Sequence, residues 1–424
     1  ADNQWRISQP PRGLLISQSL FSSTWVRADI CLWDTTGTVL VPDPRFVQKG
    51  TLGMTASVRA LLQGPSATSE AAYRSPLVAR LDVAAVSLNV NGTADVDLTG
   101  DVDRLNAEAR RRLAAELVWS LTSLEGVTGV RVRGNGTLWD LGGSSGIVTT
   151  ADFSQAAPAL PSSSDQVFVV RGGVLSRLGW NTPVAEAQVV APSVTRLGPI
   201  SARADGQEVA AVSDAGTKVR LIAVREGTAR VLLSGQGLTS VRFTRQGELL
   251  VVTDGVRGDR LRLVRDAHQA PIDAAGLPTG RIRSLAVAPD GVRVALVIEE
   301  QGRSVLGVAA IVRTSEGMRF VGWRELSGAA WSPTSQPPVD VGWSDSASLL
   351  VLLGGTAGPR VVSVDSEGAM ATDVGPTDSV ASAQLAVGGD SRAVLRGSDG
   401  QTWRFIDEFT WDPWLSKVQQ VSLP

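Results

Sequence analysis

The stretch SLAVAPDGVRVALV, Ser284 to Val297, decides the fold. It is an alternating strand, a tight Asp-Gly turn, and a second strand that is apolar at almost every position. Four other stretches can be laid over it: ISARADGQEVAAVS (Ile200 to Ser213), SVRFTRQGELLVVT (Ser240 to Thr253), VGWSDSASLLVLLG (Val341 to Gly354) and QLAVGGDSRAVLRG (Gln384 to Gly397). In most copies a third strand follows, as in KVRLIAV, DRLRLV, SVLGVAAIV and PRVVSVD. The turn glycines Gly206, Gly247 and Gly291 lie 41 and 44 residues apart, and the next turns follow after about 55 and 45. A four-stranded unit at this period predicts β-propeller blades. One blade cannot bury both of its faces, whereas a closed ring of blades covers every face. VFVVRGGVLSRL, Val167 to Leu178, is an extra hairpin upstream, expected to complete the last blade and close the ring. Five repeats plus this hairpin favour five blades. Six result if the Trp-rich tail, Trp403 to Trp414, builds another.

Upstream the texture changes. GGSSGIVTTADFSQAAPALPSSSD, residues 142–165, has the Gly, Ser, Ala and Pro content of a linker. Before it the chain is mixed. CLWDTTGTVLVPDPRFV reads as two short strands, and Thr51 to Gln63 as a helix with Thr51 as N-cap and Leu52, Ala56, Ala60 and Leu61 inward. Val83 to Val90 and Thr93 to Leu98 pair around Asn91-Gly92. Asp101 or Asp103 is expected to cap a long helix reaching Leu124, with Leu105, Ala109, Leu113, Leu117 and Leu121 on its buried stripe. A last strand pair turns at Asn135-Gly136. The order β-β-α-β-β-α-β-β predicts an α+β domain, one sheet with helices on a face. The fold class is therefore an α+β domain followed by an all-β propeller. Residues 1–46 are set apart as the remnant of an N-terminal domain, 47–141 as the α+β domain, 142–165 as linker and 166–424 as propeller.

Composition narrows the chemistry. The 424 residues include one cysteine (Cys31), one histidine (His268) and three lysines against 37 arginines. A single Cys allows no internal disulfide and no Cys-built metal site, and a single His allows no His-rich cage. The net charge of −2 gives no whole-chain reason to bind nucleic acid. No apolar run approaches the length of a membrane-spanning helix. The chain begins at ADNQW without a methionine or signal peptide, which reads as a mature or shortened form.

Individual motifs favour plain structural roles. DVDLTGDVDRLN, Asp95 to Asn106, matches a calcium loop at four positions but ends in Asn106 where a bidentate Glu is needed, and a strand precedes it. Asp95 and Asp97 then lie on a strand's wet face. His268 falls in RDAHQAP, an inter-blade loop, with no G-x-S-x-G nucleophile to pair with. Cys31 reads as a free core cysteine. No P-loop or dinucleotide fingerprint is present, so no cofactor is expected. Arg110, Arg111 and Arg112 read as a solvated helix face that could meet anionic lipid or a partner. Trp411 and Trp414 are expected to be exposed or to pack across domains. These five residues form the candidate partner surface, and no catalytic or metal residue is singled out.

ALLQGP (Ala60 to Pro65), NGTADVDLTGD (Asn91 to Asp101) and ELVWSLTSLEGVTGVRVRGNG (Glu116 to Gly136) resemble the GerMN domain shared with spore-germination proteins. Together with WRISQPPRGLLIS (Trp5 to Ser17), LVPDPRFV (Leu40 to Val47) and the propeller, they make nearly the whole chain similar to the LpqB family of actinobacterial lipoproteins. The resemblance implies a non-enzymatic protein of the cell envelope, lipid-anchored on the outer face of the cell membrane. It implies a partner, the extracellular domain of the sensor histidine kinase of the MtrA–MtrB two-component system, and effects on cell-wall metabolism and division. The family's signal peptide and lipidated cysteine are not in this sequence, so the anchor is expected upstream. An alternative reading is a binder of carbohydrate or peptidoglycan fragments at the propeller mouth. An enzyme would need clustered carboxylates at the channel.

Overall fold

The structure is a computed structural model. It describes residues 16–66, 70–73, 80–142, 144–159, 164–183, 187–256, 258, 260–265, 268–314, 317–326, 336–355, 360–368, 370–376, 382–388, 391–407 and 409–424. The WRISQPPRGLLIS stretch lies outside these residues as far as position 15. The chain divides into two compact units. One comprises Ala1–Ile30, Arg45–Gln63 and Leu77–Asp152, the other Cys31–Pro44, Gly64–Pro76 and Phe153–Pro424.

Helix α1 (Gln18–Thr24) leads into β1 (Trp25–Trp33) and β2 (Leu40–Gln48), which pair only with each other. The first predicted strand pair therefore stands apart from the main sheet, so the single expected sheet is two. Helix α2 (Thr51–Gln63) buries Gly53, Met54, Ser57, Val58 and Leu61. The expected stripe is displaced by one position, and Leu52 is 72% exposed. Gly53 sets the displacement: a Cβ there would lie 1.9 Å from the Gln48 carbonyl oxygen, so the helix can approach only on its glycine.

The main sheet of this unit runs β3 (Leu81–Leu88), β4 (Thr93–Gly100), β5 (Gly129–Gly134) and β6 (Thr137–Leu138), with β7 (Ile147–Val148) also on β5. β3 and β4 are antiparallel; β4 and β5 are parallel, the crossover being α3 (Ala107–Leu121). The helix begins later than expected. Asp101–Arg104 forms a separate short 3-10 turn, Leu105 is extended, and Asn106 is the cap, its Oδ1 accepting from the Ala109 amide at 2.8 Å. Asn135 and Gly136 both have positive φ, the conformation a two-residue turn between twisted strands needs. In residues 142–165, read as linker, β7 joins the sheet and Thr150–Ala156 forms a 3-10 segment.

In the second unit the described residues form six four-stranded propeller sheets, two of them joined at their outer edges. Blades 2 to 6 each use four consecutive strands. They begin at inner strands Leu197–Ala202, Leu238–Phe243, Arg281–Val287, Pro338–Trp343 and Ser382–Val387. Blade 1 is composite: Gln166–Arg171, Val174–Gly179 and Gln188–Val189 come from the front of the propeller, and its inner strand, Gln420–Ser422, from the end of the chain. The expected hairpin thus does close the ring, but as a blade of its own. The Trp-rich tail supplies the outer half of blade 6, Thr402–Asp407 and Thr410–Pro413, so the count is six rather than the favoured five.

The apolar second strands are explained by burial on both faces. In blade 3, Leu249 and Val251 pack with Ala210 and Val212 of blade 2, while Leu250 and Val252 pack with Val294 and Leu296 of blade 4. The same alternation closes the circle. Phe168 and Val170 face blade 2, and Val167 and Val169 face blade 6. Arg404 tightens that last seam, donating to the Trp180 carbonyl at 2.7 Å while lying 5.0 Å from the Trp414 ring.

Ring geometry leaves inner-strand backbone groups that a flat sheet would pair, and neighbouring side chains satisfy them. Ser422 Oγ accepts from the Ala202 amide and Ser201 Oγ from the Phe243 amide. Asp340 Oδ2 accepts from the Leu385 amide at 2.8 Å. Gln384 grips the closing strand from both sides, donating to the Val421 carbonyl at 3.0 Å and accepting from the Val421 amide at 3.2 Å.

A buried ion pair ties the Asp-Gly turn of blade 4 to the segments from the front of the chain that share this unit. Asp290 accepts from Arg293 Nε and Nη2 at 3.0 and 2.6 Å; Arg293 Nη1 reaches the Pro42 carbonyl, and the guanidinium lies 5.0 Å from the Trp343 ring. Tyr73 donates to the same Pro42 carbonyl at 2.9 Å. Burial alone would depress the Arg293 pKa; Asp290 more than reverses this and holds it above its ordinary value.

Two outcomes are expected. Gln384→Ala leaves two buried backbone groups of the closing strand without partners and should lower stability by about 2 kcal/mol in urea unfolding. A change within error would mean that closure does not depend on this side chain. Arg293→Met should cost about 3–5 kcal/mol by leaving Asp290 buried and unpaired, and adding Asp290→Asn should recover part of the loss. A double variant no more stable than the single would contradict this account.

Candidate functional site

The six inner strands enclose a central channel with a cavity of about 200 Å³. Each strand contributes one residue at an equivalent register position: Ser201, Arg242, Ala286, Gly342, Ala386 and Ser422, all lining the cavity. Five of the six are Gly, Ala or Ser. Arg242 is the exception. The wall is completed by apolar side chains such as Val287, Trp343 and Leu385, with Thr244 and Arg245 towards one end.

Arg242 spends only Nη1 on the protein, donating to the carbonyls of Val241 at 3.0 Å and Ile200 at 3.3 Å. No described carboxylate forms an ion pair with it, and Nε and Nη2 have no described partner. Burial pulls its pKa below the ordinary arginine value, opposed by the charge of Asp340. Asp340 itself, 9% exposed, is held by Ser284 Oγ at 2.5 Å and by the Val341 and Leu385 amides. A second arginine, Arg396, also feels Asp340 and is likewise lowered by burial. Two guanidinium groups therefore share one fully engaged carboxylate, and Arg245, bonded to the Ala157 carbonyl at 2.7 Å, adds a third cation at the cavity. The cavity is an electropositive pocket of mixed polar and apolar lining, able to take an anion.

Of the residues expected to form a partner surface, the three arginines belong to the first unit and the two tryptophans to the second. Arg110 packs over Trp139 at 5.6 Å. Arg111 donates to the carbonyls of Leu141 and Asp152, and Arg112 pairs with Glu108 one helical turn away. Three successive arginines thus serve three separate structural contacts. Trp411, expected to be exposed or to pack across domains, is 8% exposed and donates from Nε1 to the Val374 carbonyl at 2.8 Å. It packs in the core between blades 5 and 6 because its strand faces inward there. Trp414 is half-buried against Trp180, ring centroids 5.6 Å apart. Exposure in this tail falls instead on Ile406 and Phe409, 48% and 49% exposed, with Phe409 at φ 71°.

In the calcium-like segment, Asp95 pairs with Arg131 and Asp97 accepts from the Gly136 amide. Among the described residues no group of three acid, His or Cys side chains converges on a metal site. His268 is exposed on the outer strand of blade 3, His268–Asp273, rather than in a loop. Cys31 is buried and in no disulfide. Sequence reading missed Arg242, and the signal was available: laid on the repeat, it is an arginine in a column otherwise filled by small residues.

Comparison with known proteins agrees with this architecture. A family model described as the Lipoprotein LpqB beta-propeller domain matches residues 172–415, and one described as Sporulation and spore germination matches 29–138. Lipoprotein LpqB of Cutibacterium acnes is 27% identical over 99% of this chain and 75% of its own length. The Rhodococcus jostii protein of the same name is 26% identical over 82% of this chain. The chain spans only 61% of that relative's length. Among solved structures, TolB from Acinetobacter baumannii aligns with a TM-score of 0.47 at 12% identity, over 81% of this chain and 82% of that one. With a spore-germination-type domain in front of a six-bladed propeller whose family model covers more than half of its residues, the chain belongs to the LpqB lipoprotein family.

Proposed function

We propose that this chain is the ectodomain of a lipid-anchored envelope protein that acts without catalysis, by docking the extracellular domain of a sensor histidine kinase of the MtrA–MtrB type. The relatives' name, lipoprotein, supports the anchored location. No described helix is long and apolar enough to cross a membrane, and in this reading attachment is through lipid. The propeller lends itself to binding: the outer hairpin of blade 6 carries side chains, Ile406 and Phe409, that are exposed rather than spent on the core.

The observation that carries the reading is Phe409. A bulky residue in the left-handed region costs about 1–2 kcal/mol. At half exposure it recovers little of that cost from packing, although Trp411 two residues on is fully used in the core. Beside it Ile406 is also exposed. A strained, exposed aromatic next to an exposed aliphatic is what a partner's apolar pocket would take as an anchor. A kinase domain that binds this hairpin in only one of its conformations has its equilibrium shifted by the difference in affinity.

The check is a calorimetric titration of the folded chain against the kinase's extracellular domain. The double substitution Ile406→Ser, Phe409→Ala should weaken binding by at least about tenfold, roughly 1.4 kcal/mol, without changing the unfolding midpoint. Unchanged affinity would remove the hairpin from the interface; no binding by the native chain would remove the kinase as the partner.

A further inference from the structure

We propose that the central cavity of the propeller is a receptor for a small organic carboxylate with an apolar substituent, held by Arg242. This site is separate from the blade 6 hairpin and does not depend on the partner reading.

Arg242 uses its donors differently from Arg293. Arg293 gives Nε and Nη2 to Asp290, Nη1 to Pro42, and its face to Trp343. Arg242 is placed on the channel wall with Nη1 engaged by two carbonyls and Nε and Nη2 without a described partner. A guanidinium that lines a cavity with one edge unspent on the protein is poised for an acceptor that is not part of the chain. The local charge agrees. Asp340 is already saturated by Ser284 and two backbone amides, and it is shared between Arg242 and Arg396. Arg242, Arg396 and Arg245 together outnumber that carboxylate, which suits a negatively charged ligand.

The acceptor's shape follows from the same residues. Nε and Nη2 lie on one edge of the planar guanidinium and match two oxygens of a carboxylate. Ala286, Val287, Trp343, Leu385 and Val387 supply the apolar part of the remaining wall. A fully polar oxyanion such as phosphate would leave that part of the wall without a matching group. A cavity of about 200 Å³ admits several non-hydrogen atoms, so a short branched chain fits beside the charged group.

The test is calorimetry on the native chain with 4-methylpentanoate, its neutral isostere 4-methylpentanamide, and inorganic phosphate. The carboxylate should bind at least about tenfold more tightly than either of the others. Arg242→Gln should abolish the preference for carboxylate over amide. Arg242→Lys, which keeps the charge but not the two-pronged edge, should retain only part of it. If the Arg242 variants fail to fold, the three-ligand comparison on the native chain still decides, and Ala286→Leu, which fills the cavity while leaving the charge, should reduce carboxylate binding by at least about tenfold. Equal affinity for carboxylate and amide, tighter binding of phosphate, or no binding of any of the three at millimolar concentration would each overturn the proposal.

Discussion

Everything in the propeller depends on one short strand being in place. A ring of blades buries every face only if the first and last blades meet, and here the meeting is made by Gln420–Ser422 entering blade 1 as its inner strand. Three residues of ladder are few, and the side chains around them make up the difference. Gln384 holds both the amide and the carbonyl of Val421, and Ser422 ties forward to Ala202. Gln419 accepts from the Gly173 amide at 2.6 Å. Without the strand, Val167 and Val169 on one side and Ala386 and Val394 on the other would lose their shared core. The closing strand also supplies Val421 and Ser422 to the channel wall, so closing the fold and forming the cavity are one event.

That event explains why the channel is hollow. Inner strands of a six-membered ring diverge, and their edges present amides that no neighbouring strand can pair. Where a side chain is spent on such an amide, as Ser201, Ser422 and Asp340 are, it is drawn against its neighbour's backbone. Where none is needed, the position is small: Ala286, Gly342 or Ala386. Gly342 is constrained as well, since a Cβ would fall 2.5 Å from the Val387 side chain. Neither kind of position can fill the axis. The cavity is therefore a consequence of packing rather than an insertion into it, and its character is set by whichever column residue breaks the pattern.

The propeller was legible because its physics is periodic. An apolar strand buried on both faces, as Leu249 to Thr253 is, has no other explanation at that length, and the Asp-Gly turns mark each copy. The count was less legible because blade 1 is discontinuous: Gln420–Ser422 is too short to read as a strand, and it pairs with residues about 250 positions earlier. The α+β unit was read correctly in type but not in detail. Leu52 and Gly53 look like a better and a worse core residue by hydropathy, and the structure reverses them because α2 needs close approach at the glycine. Trp411 and Phe409 show the same limit in the tail. Composition marks both as aromatic, but only strand register decides that the first faces a core and the second faces water.

Arg293 and Arg242 show how structural and binding roles part within one fold. Arg293 joins a turn to distant backbone, and its pKa stands above the ordinary value because Asp290 answers the cost of burial. Arg242 sits on the channel wall with its pKa pulled down, because burial is met only by carbonyl dipoles and by a carboxylate already engaged elsewhere. Were Arg242 there only to balance Asp340, a direct pair would do so at lower cost, as the Arg293–Asp290 pair does. Were it there only to fill space, a leucine would carry no desolvation cost. Neither alternative accounts for a guanidinium placed against small residues with one edge unspent. A ring that must remain hollow for reasons of packing gives such a group somewhere to point, and the unspent edge of Arg242 is the part of this fold that stability alone does not explain.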